Sequence, residues 1–176
     1  YHEPYPYYDQ EVLVVGAGNS AVESALELYR NGARVSLVHF LDGIDSGVKP
    51  WVVPDLTNRL ERGEITPFWR HRVAEIRQRE VVLRDDATGE ERTVPNDFVI
   101  AMTGWRADPE PLRRLGVVVS EDTGIPSHDP ATMETNVPGL YIAGVIAAGN
   151  DANKIFIENG REHGALIVAD RVDRGR

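Results

Sequence analysis

The sequence predicts an α/β fold in which a parallel sheet carries helices and a small antiparallel meander is inserted. Three observations carry that prediction. Val12-Leu-Val-Val15 is an uninterrupted apolar run, the mark of a strand covered on both faces. Gly16-Ala-Gly-Asn-Ser-Ala21 follows at once and fits the pattern G-x-G-x-x-G/A. Val22, Ala25, Leu26 and Tyr29 then recur at helical spacing. A strand, a glycine turn and a helix in this order make a Rossmann-like fingerprint for a dinucleotide. Gly16 permits the tight turn, Gly18 lets the backbone approach a pyrophosphate, and Ala21 is small enough for the helix to pack close to the strand. Ala17, Asn19 and Ser20 complete the turn, and the unpaired N–H groups and positive dipole end of the helix face the phosphates.

Each further element follows in order. Residues 1–8, aromatic and with two prolines, read as a connecting segment. The first strand covers 11–15 and its helix 19–31, stopped by Gly32. Arg34–His39 is the second strand, which makes a β-α-β unit with a right-handed crossover. A glycine-bearing loop leads to Lys49-Pro-Trp51, and a helix runs from near Pro54 to Gly63. Short strands are expected at 65–68 and 72–77. Val81–Leu83 and Arg92–Val94 flank Asp85–Gly89 as a hairpin. Asp97–Met102 is another buried strand, ended by Thr103-Gly104. Composition shifts at Arg106–Pro111, a crossing between domains. Asn136–Gly144 reads as a strand ending in a glycine turn, and the last helix as Asn153 to Val172. Residues 106–176 hold too few strands for a core of their own and read as part of a larger domain.

Composition excludes several classes. The formal charge of −9 argues against non-specific nucleic-acid binding. With no cysteine, these residues supply no thiol nucleophile, redox disulfide or thiolate metal site. The five histidines show no H-x-x-x-H pairing, so no metal is expected. No apolar run approaches the ~20 residues of a membrane span, and the start lacks the pattern of a signal peptide. A cytoplasmic location without membrane attachment is the expectation.

Cofactor choice turns on the end of the second strand, where NAD sites place an acid and NADP sites supply cations. The strand ends at His39 without an acid. Asp42 follows shortly and is either an acceptor for a ribose hydroxyl or a plain loop residue. His39 is either a 2′-phosphate contact or a solvent-facing strand end. Lys49 is either a point charge for that phosphate or surface. Asn19 and Ser20 cap the helix, touch phosphate, or do both. Glu23, one turn in, meets a nicotinamide ribose or merely complements the dipole. Thr103 and Gly104 end a parallel strand at the edge where open α/β sheets bind ligands, or form a plain turn.

Further blocks carry a resemblance. Lys49-Pro-Trp51, Ala101-Met-Thr-Gly-Trp105, Met133-Glu-Thr-Asn-Val137, Gly139-Leu-Tyr-Ile-Ala-Gly144, Ala143–Asn150 and Ile155-Phe-Ile-Glu-Asn-Gly-Arg161 occur in a familiar order. The chain resembles the flavin-dependent pyridine nucleotide-disulfide oxidoreductases, in the thioredoxin-reductase-like branch, and most of all the YpdA-type bacillithiol-disulfide reductases. The resemblance implies that 9–105 is an NADPH domain and 106–176 the C-terminal piece of an FAD domain. The N-terminal FAD piece would then stand before Tyr1, making this chain part of a longer one. It further implies hydride transfer from NADPH to FAD, a small-molecule disulfide of the bacillithiol type as substrate, and a homo-oligomer.

The chain departs from thioredoxin reductases in three places. His2 stands at the position of the second cysteine of their C-x-x-C pair. Their 2′-phosphate motif His-Arg-Arg becomes His39-Phe40-Leu41. Their Ala-Gly-Asp, whose aspartate meets the flavin ribitol, becomes Ala143-Gly144-Val145. Flavin is therefore expected at Gly144, Val145 and the backbone of Lys154 and Ile155 at the start of the last helix. Two other readings stand beside this one: a stand-alone NAD(P)-binding module without turnover, and part of a flavin monooxygenase.

Overall fold

The computed structural model describes residues 1–105 and 107–175, apart from the side chain of Asn153. The chain divides into two compact units, Tyr1–Gly104 and Trp105–Arg176.

Unit 1 is built on a parallel sheet of four strands, β1 (Glu11–Val15), β2 (Arg34–His39), β3 (Ile65–Trp69) and β7 (Phe98–Ala101), in the order β3-β2-β1-β7. Helix α1 (Asn19–Arg30) connects β1 to β2, and α2 (Val53–Glu61) precedes β3. The meander β4 (His71–Ile76), β5 (Glu80–Asp85) and β6 (Glu91–Pro95) forms a separate antiparallel sheet. Both sheets and their element order agree with the sequence expectation, with boundaries within a few residues.

The apolar run of β1 has a simple cause. Val12 and Val14 pack with Val22, Leu26, Val35, Leu37 and Leu56 on the helix side. Leu13 points the other way, onto Val38, Phe68, Val81 and Leu83. The parallel sheet is thus sandwiched between helices and meander, so alternate side chains of β1 are buried on opposite faces. Fully burying each such side chain contributes roughly 1.5–3 kcal/mol relative to exposure. Arg30 and Arg59 both bind the Asp55 carboxylate, tying α1 to α2. The opening segment is packed rather than loose. It forms a short 3-10 turn, Tyr5–Tyr7, with Tyr7 against the core and edge-on to Phe98.

Unit 2 has a small core of its own, contrary to expectation: Leu112, Val117, Val119, Met133, Ile142 and Ala147. It is made by helix α3 (Glu110–Arg114) and a chain held mainly by turns. The strand expected at 136–144 is absent as a ladder; only single bridges, His128 to Thr135 and Glu134 to Tyr141, form there. Loop hydrogen bonds do the work of a sheet. The expected last helix is also broken into a 3-10 turn (Ala152–Lys154), α4 (Ile157–Gly160) and α5 (Glu162–Asp173). The Asn159 side chain causes the break. Its Oδ1 accepts from Phe156 N–H (2.7 Å) and its Nδ2 donates to the Lys154 carbonyl (2.8 Å), starting a new helix there.

Candidate dinucleotide site

The site grows from the carboxyl end of β1. The Gly16 N–H donates to the Val38 carbonyl (2.9 Å), and the Met102 N–H donates to the Val15 carbonyl (2.8 Å), so the turn leaves the sheet between β2 and β7. Gly16 has φ of +118°, and a Cβ there would be driven into the Met102 carbonyl oxygen. Glycine is required on both counts. Ala17 and Ala21 are buried, and the Ala21 Cβ lies at contact distance, 3.5 Å, from where a Cβ on Gly16 would sit.

Gly18 starts α1 with extended backbone, and no side chain caps the helix. Of the two roles expected of Asn19, capping is not the one it takes. Asn19 turns outward, donating from Nδ2 to the Gly47 carbonyl (3.0 Å) and accepting at Oδ1 from the Lys49 N–H (2.9 Å). The first-turn N–H groups therefore remain available at the positive end of the helix dipole, the arrangement that suits a phosphate. Asn19 instead staples the loop 41–49 across the turn. The Asp45 N–H adds a bond to the Ala17 carbonyl (3.1 Å). Lys49 and Glu23 face each other at 2.7 Å, both about half exposed. In this arrangement each is the other's partner. Ser20 is exposed on the same turn.

His39 is not a solvent-facing strand end. It is 5% exposed, on the helix side of β2 like Val35 and Leu37. Its Nε2 lies 3.2 Å from Asp45 Oδ1. The pair is close but not aligned as a hydrogen bond, and among the described residues neither ring nitrogen has a hydrogen-bond partner. The other carboxylate oxygen of Asp45 stands against Gly18, where a Cβ would sit 3.2 Å from it. Asp45 thus bridges the end of β2 and the second glycine of the turn. Sequence reading weighed Asp42, which is exposed, and missed Asp45. Its position in a Gly-rich loop six residues past the strand carries no periodic signal. Thr103 and Gly104 follow β7 at the same carboxyl edge of the sheet, both exposed, with Gly104 at φ +97°.

In unit 2, Gly144 sits at φ +75°, with open space where a Cβ would be. Its N–H donates to His163 Nδ1 (3.0 Å), which leaves the proton of that ring on Nε2. Val145 is exposed. Lys154 and Ile155 precede the helices rather than opening one. The Lys154 N–H is taken by the Asp151 carbonyl (3.2 Å), and Ile155 packs on the unit's core. Gly144 leaves open space beside its Cα, while its N–H and that of Lys154 are both already spent. Among the described residues no group of three metal-ligating side chains occurs, and no helix is long and apolar enough to cross a membrane.

Comparison with known proteins agrees with this fold. The family model described as pyridine nucleotide-disulphide oxidoreductase matches residues 1–144. Bacilliredoxin reductase Bdr of Bacillus subtilis (strain 168) is 44% identical over 176 residues, covering 99% of this chain and 53% of that protein. The solved structure of bacillithiol disulfide reductase Bdr (YpdA) from Bacillus cereus superposes with a TM-score of 0.92 at 42% identity. It covers 98% of this chain and 52% of that one. The corresponding structure from Staphylococcus aureus gives 0.91 at 38%, covering 99% and 54%. The chain therefore spans about half the length of the relatives it matches. A glycine turn at the edge of a parallel sheet, with this match over most of its length, shows that the chain belongs to the pyridine nucleotide-disulphide oxidoreductase family, in its thioredoxin-reductase-like branch.

Proposed function

We propose that unit 1 binds reduced nicotinamide dinucleotide, NADPH, and that unit 2 contributes to an FAD site, together serving reduction of a low-molecular-weight disulfide of the bacillithiol type. The observation that carries this reading is the uncapped start of α1 beneath two glycines at the carboxyl edge of the sheet. The names of the relatives support the disulfide. A flavin held at that FAD site would supply two-electron relay chemistry, by which one hydride equivalent from NADPH and one proton reduce a disulfide to two thiols. The chain's own residues bind and orient. Gly16, Ala17, Gly18, Ser20 and Ala21 form the pyrophosphate cradle. Asn19 holds the loop against it, while Glu23, His39, Lys49, Thr103 and Gly104 surround the rest of the dinucleotide. Gly144 and Val145 stand beside the flavin, with Lys154 and Ile155.

Gly18→Ala tests the cradle without disturbing the fold. Gly18 has φ of −79°, which any residue adopts, and its Cβ would meet only the end of the Asp45 side chain. The methyl group would nevertheless occupy the approach of the pyrophosphate. Titration of NADPH should show saturable binding to the native chain and at least about tenfold weaker binding to the variant, roughly 1.4 kcal/mol. An unchanged affinity would remove the glycine turn as the site. Assay with NADPH and bacillithiol disulfide on a yellow, flavin-loaded preparation tests turnover, and absence of NADPH oxidation above background would sink the substrate.

A further inference from the structure

Three dipeptides in this chain pair an aspartate or asparagine with a following glycine: Asn31-Gly32, Asp42-Gly43 and Asn159-Gly160. The pairing has its own chemistry. Glycine lacks a Cβ, so its amide nitrogen can reach the side-chain carbonyl carbon of the residue before it. That reaction needs a free amide nitrogen and a free side chain, and of the three places the fold grants both at one. At Asn31 the side chain donates to the Glu27 carbonyl (2.9 Å), and the Gly32 N–H donates to that of Tyr29 (3.0 Å). At Asn159 both ends of the amide are used, and the Gly160 N–H donates to the Phe156 carbonyl (2.8 Å). Asp42 is exposed, and among the described residues neither its carboxylate nor the Gly43 N–H has a hydrogen-bond partner.

We infer that Asp42-Gly43 is a site of spontaneous aspartyl isomerisation, and that the change loosens the loop over the glycine turn. The Gly43 nitrogen attacks Asp42 Cγ, its proton passes to solvent, and the carboxyl hydroxyl leaves as water, closing a five-membered succinimide. Water then opens the ring. Cleavage of the new N–Cγ bond restores aspartate. Cleavage between the nitrogen and the Asp42 main-chain carbonyl carbon leaves isoaspartate, whose chain runs through Cβ and Cγ. One water is lost and one gained, with no change of mass or oxidation state. The place of the dipeptide gives the change its effect, because the span is pinned on both sides. The Leu41 carbonyl accepts from the Arg70 N–H (2.8 Å), and the Asp45 N–H donates to the Ala17 carbonyl (3.1 Å). Between them Ile44 packs on the helix-side core. An extra main-chain carbon within 42–44 must displace one of these anchors. The consequence for a nucleotide rests on the dinucleotide reading of the preceding section; the isomerisation does not.

Gly43→Ala is the control. Gly43 lies outside the left-handed region and a Cβ there meets nothing within 4 Å, so alanine fits the fold while its methyl group hinders the attack. The full chain and this variant are aged at neutral pH and body temperature. Isoaspartate is measured by enzymatic methylation of its free α-carboxylate and located by peptide mass spectrometry with electron-transfer fragmentation. We expect isoaspartate at 42 to exceed that at 31 and 159 by at least about tenfold, and Gly43→Ala to lower it at least about fivefold. The isoaspartate form, isolated by chromatography, should exchange amide hydrogens faster at 43–48 and bind NADPH at least about threefold more weakly than unaged protein. Equal accumulation at 31 or 159, or undiminished accumulation in Gly43→Ala, overturns the site. Native-like exchange in the isolated form overturns the effect on the loop, and faster exchange with unchanged NADPH affinity overturns its link to the nucleotide. Failure of the unaged chain to bind NADPH removes the dinucleotide reading, and mass spectrometry and exchange still decide the isomerisation and its effect on the loop.

Discussion

A methyl group on Gly16 has nowhere to go. Its φ of +118° disfavours any side chain, and the Met102 carbonyl fills the space beside it. Gly16→Ala should therefore lower the stability of unit 1 by about 1–3 kcal/mol from backbone strain alone, with more from the clash. Thermal melts would read this directly, and an unchanged midpoint would show that the turn relaxes. The contrast with Gly18 is physical: of two glycines in one motif, the fold requires Gly16, whereas Gly18 has a φ of −79° that any residue adopts. The buried His39 belongs to this scale too. In sequence the strand-end histidine is either a phosphate contact or a solvent-facing end; in the fold a loop closes over it and brings a carboxylate to its ring.

Among the elements, loop 41–49 is the one whose shape depends on a single side chain. Both ends of the Asn19 amide are used to hold it, each bond contributing about 0.5–1.5 kcal/mol. Asn19→Ala should leave α1 intact, because Asn19 lies inside the helix and does not cap it. It should also free the loop. Amide hydrogen exchange would then rise at 43–48 with little change in β1 and β2. Uniform loss of protection through unit 1 would instead assign Asn19 to global stability. Asn159 plays the mirror role in unit 2, where its two bonds divide what the sequence suggests is one long helix.

For the molecule as a whole, acid is the stress to which the ion pairs point. Hydrogen bonds from Arg30, then Arg59, hold the Asp55 carboxyl below its ordinary value of 3.8. Backbone N–H groups of Thr88 and Ala87 do the same for Asp85 in the hairpin. The Gly139 N–H, then Arg174, hold Glu134 below its ordinary 4.5. A carboxylate depressed in the folded state contributes stability that is fully present above its unfolded value and is lost as pH falls through the folded one. Melting temperature should therefore hold steady down to about pH 4.5 and fall below it. Relief of self-repulsion, as the −9 charge shrinks, opposes this only at the outset. Asp85→Asn should make that fall shallower. A melting temperature that rises on acidification through this range would mean that charge repulsion outweighs the pairs.

The sequence by itself determined the parallel sheet, the meander and the glycine turn. Each is written locally, as an apolar run, an alternation or a glycine whose φ no other residue tolerates. Unit 2 was harder to read, because its chain is held by turns and single bridges that leave no period. Only the tertiary structure decided what Asn19, His39 and Asp45 do. Asn19 sits where a cap is expected but bonds a loop that returns from 28 and 30 residues away. His39 and Asp45 acquire their relation from the fold of that loop over the turn. Short-range patterns fix which backbone forms; side chains that meet through loop closure depend on contacts that no periodicity encodes.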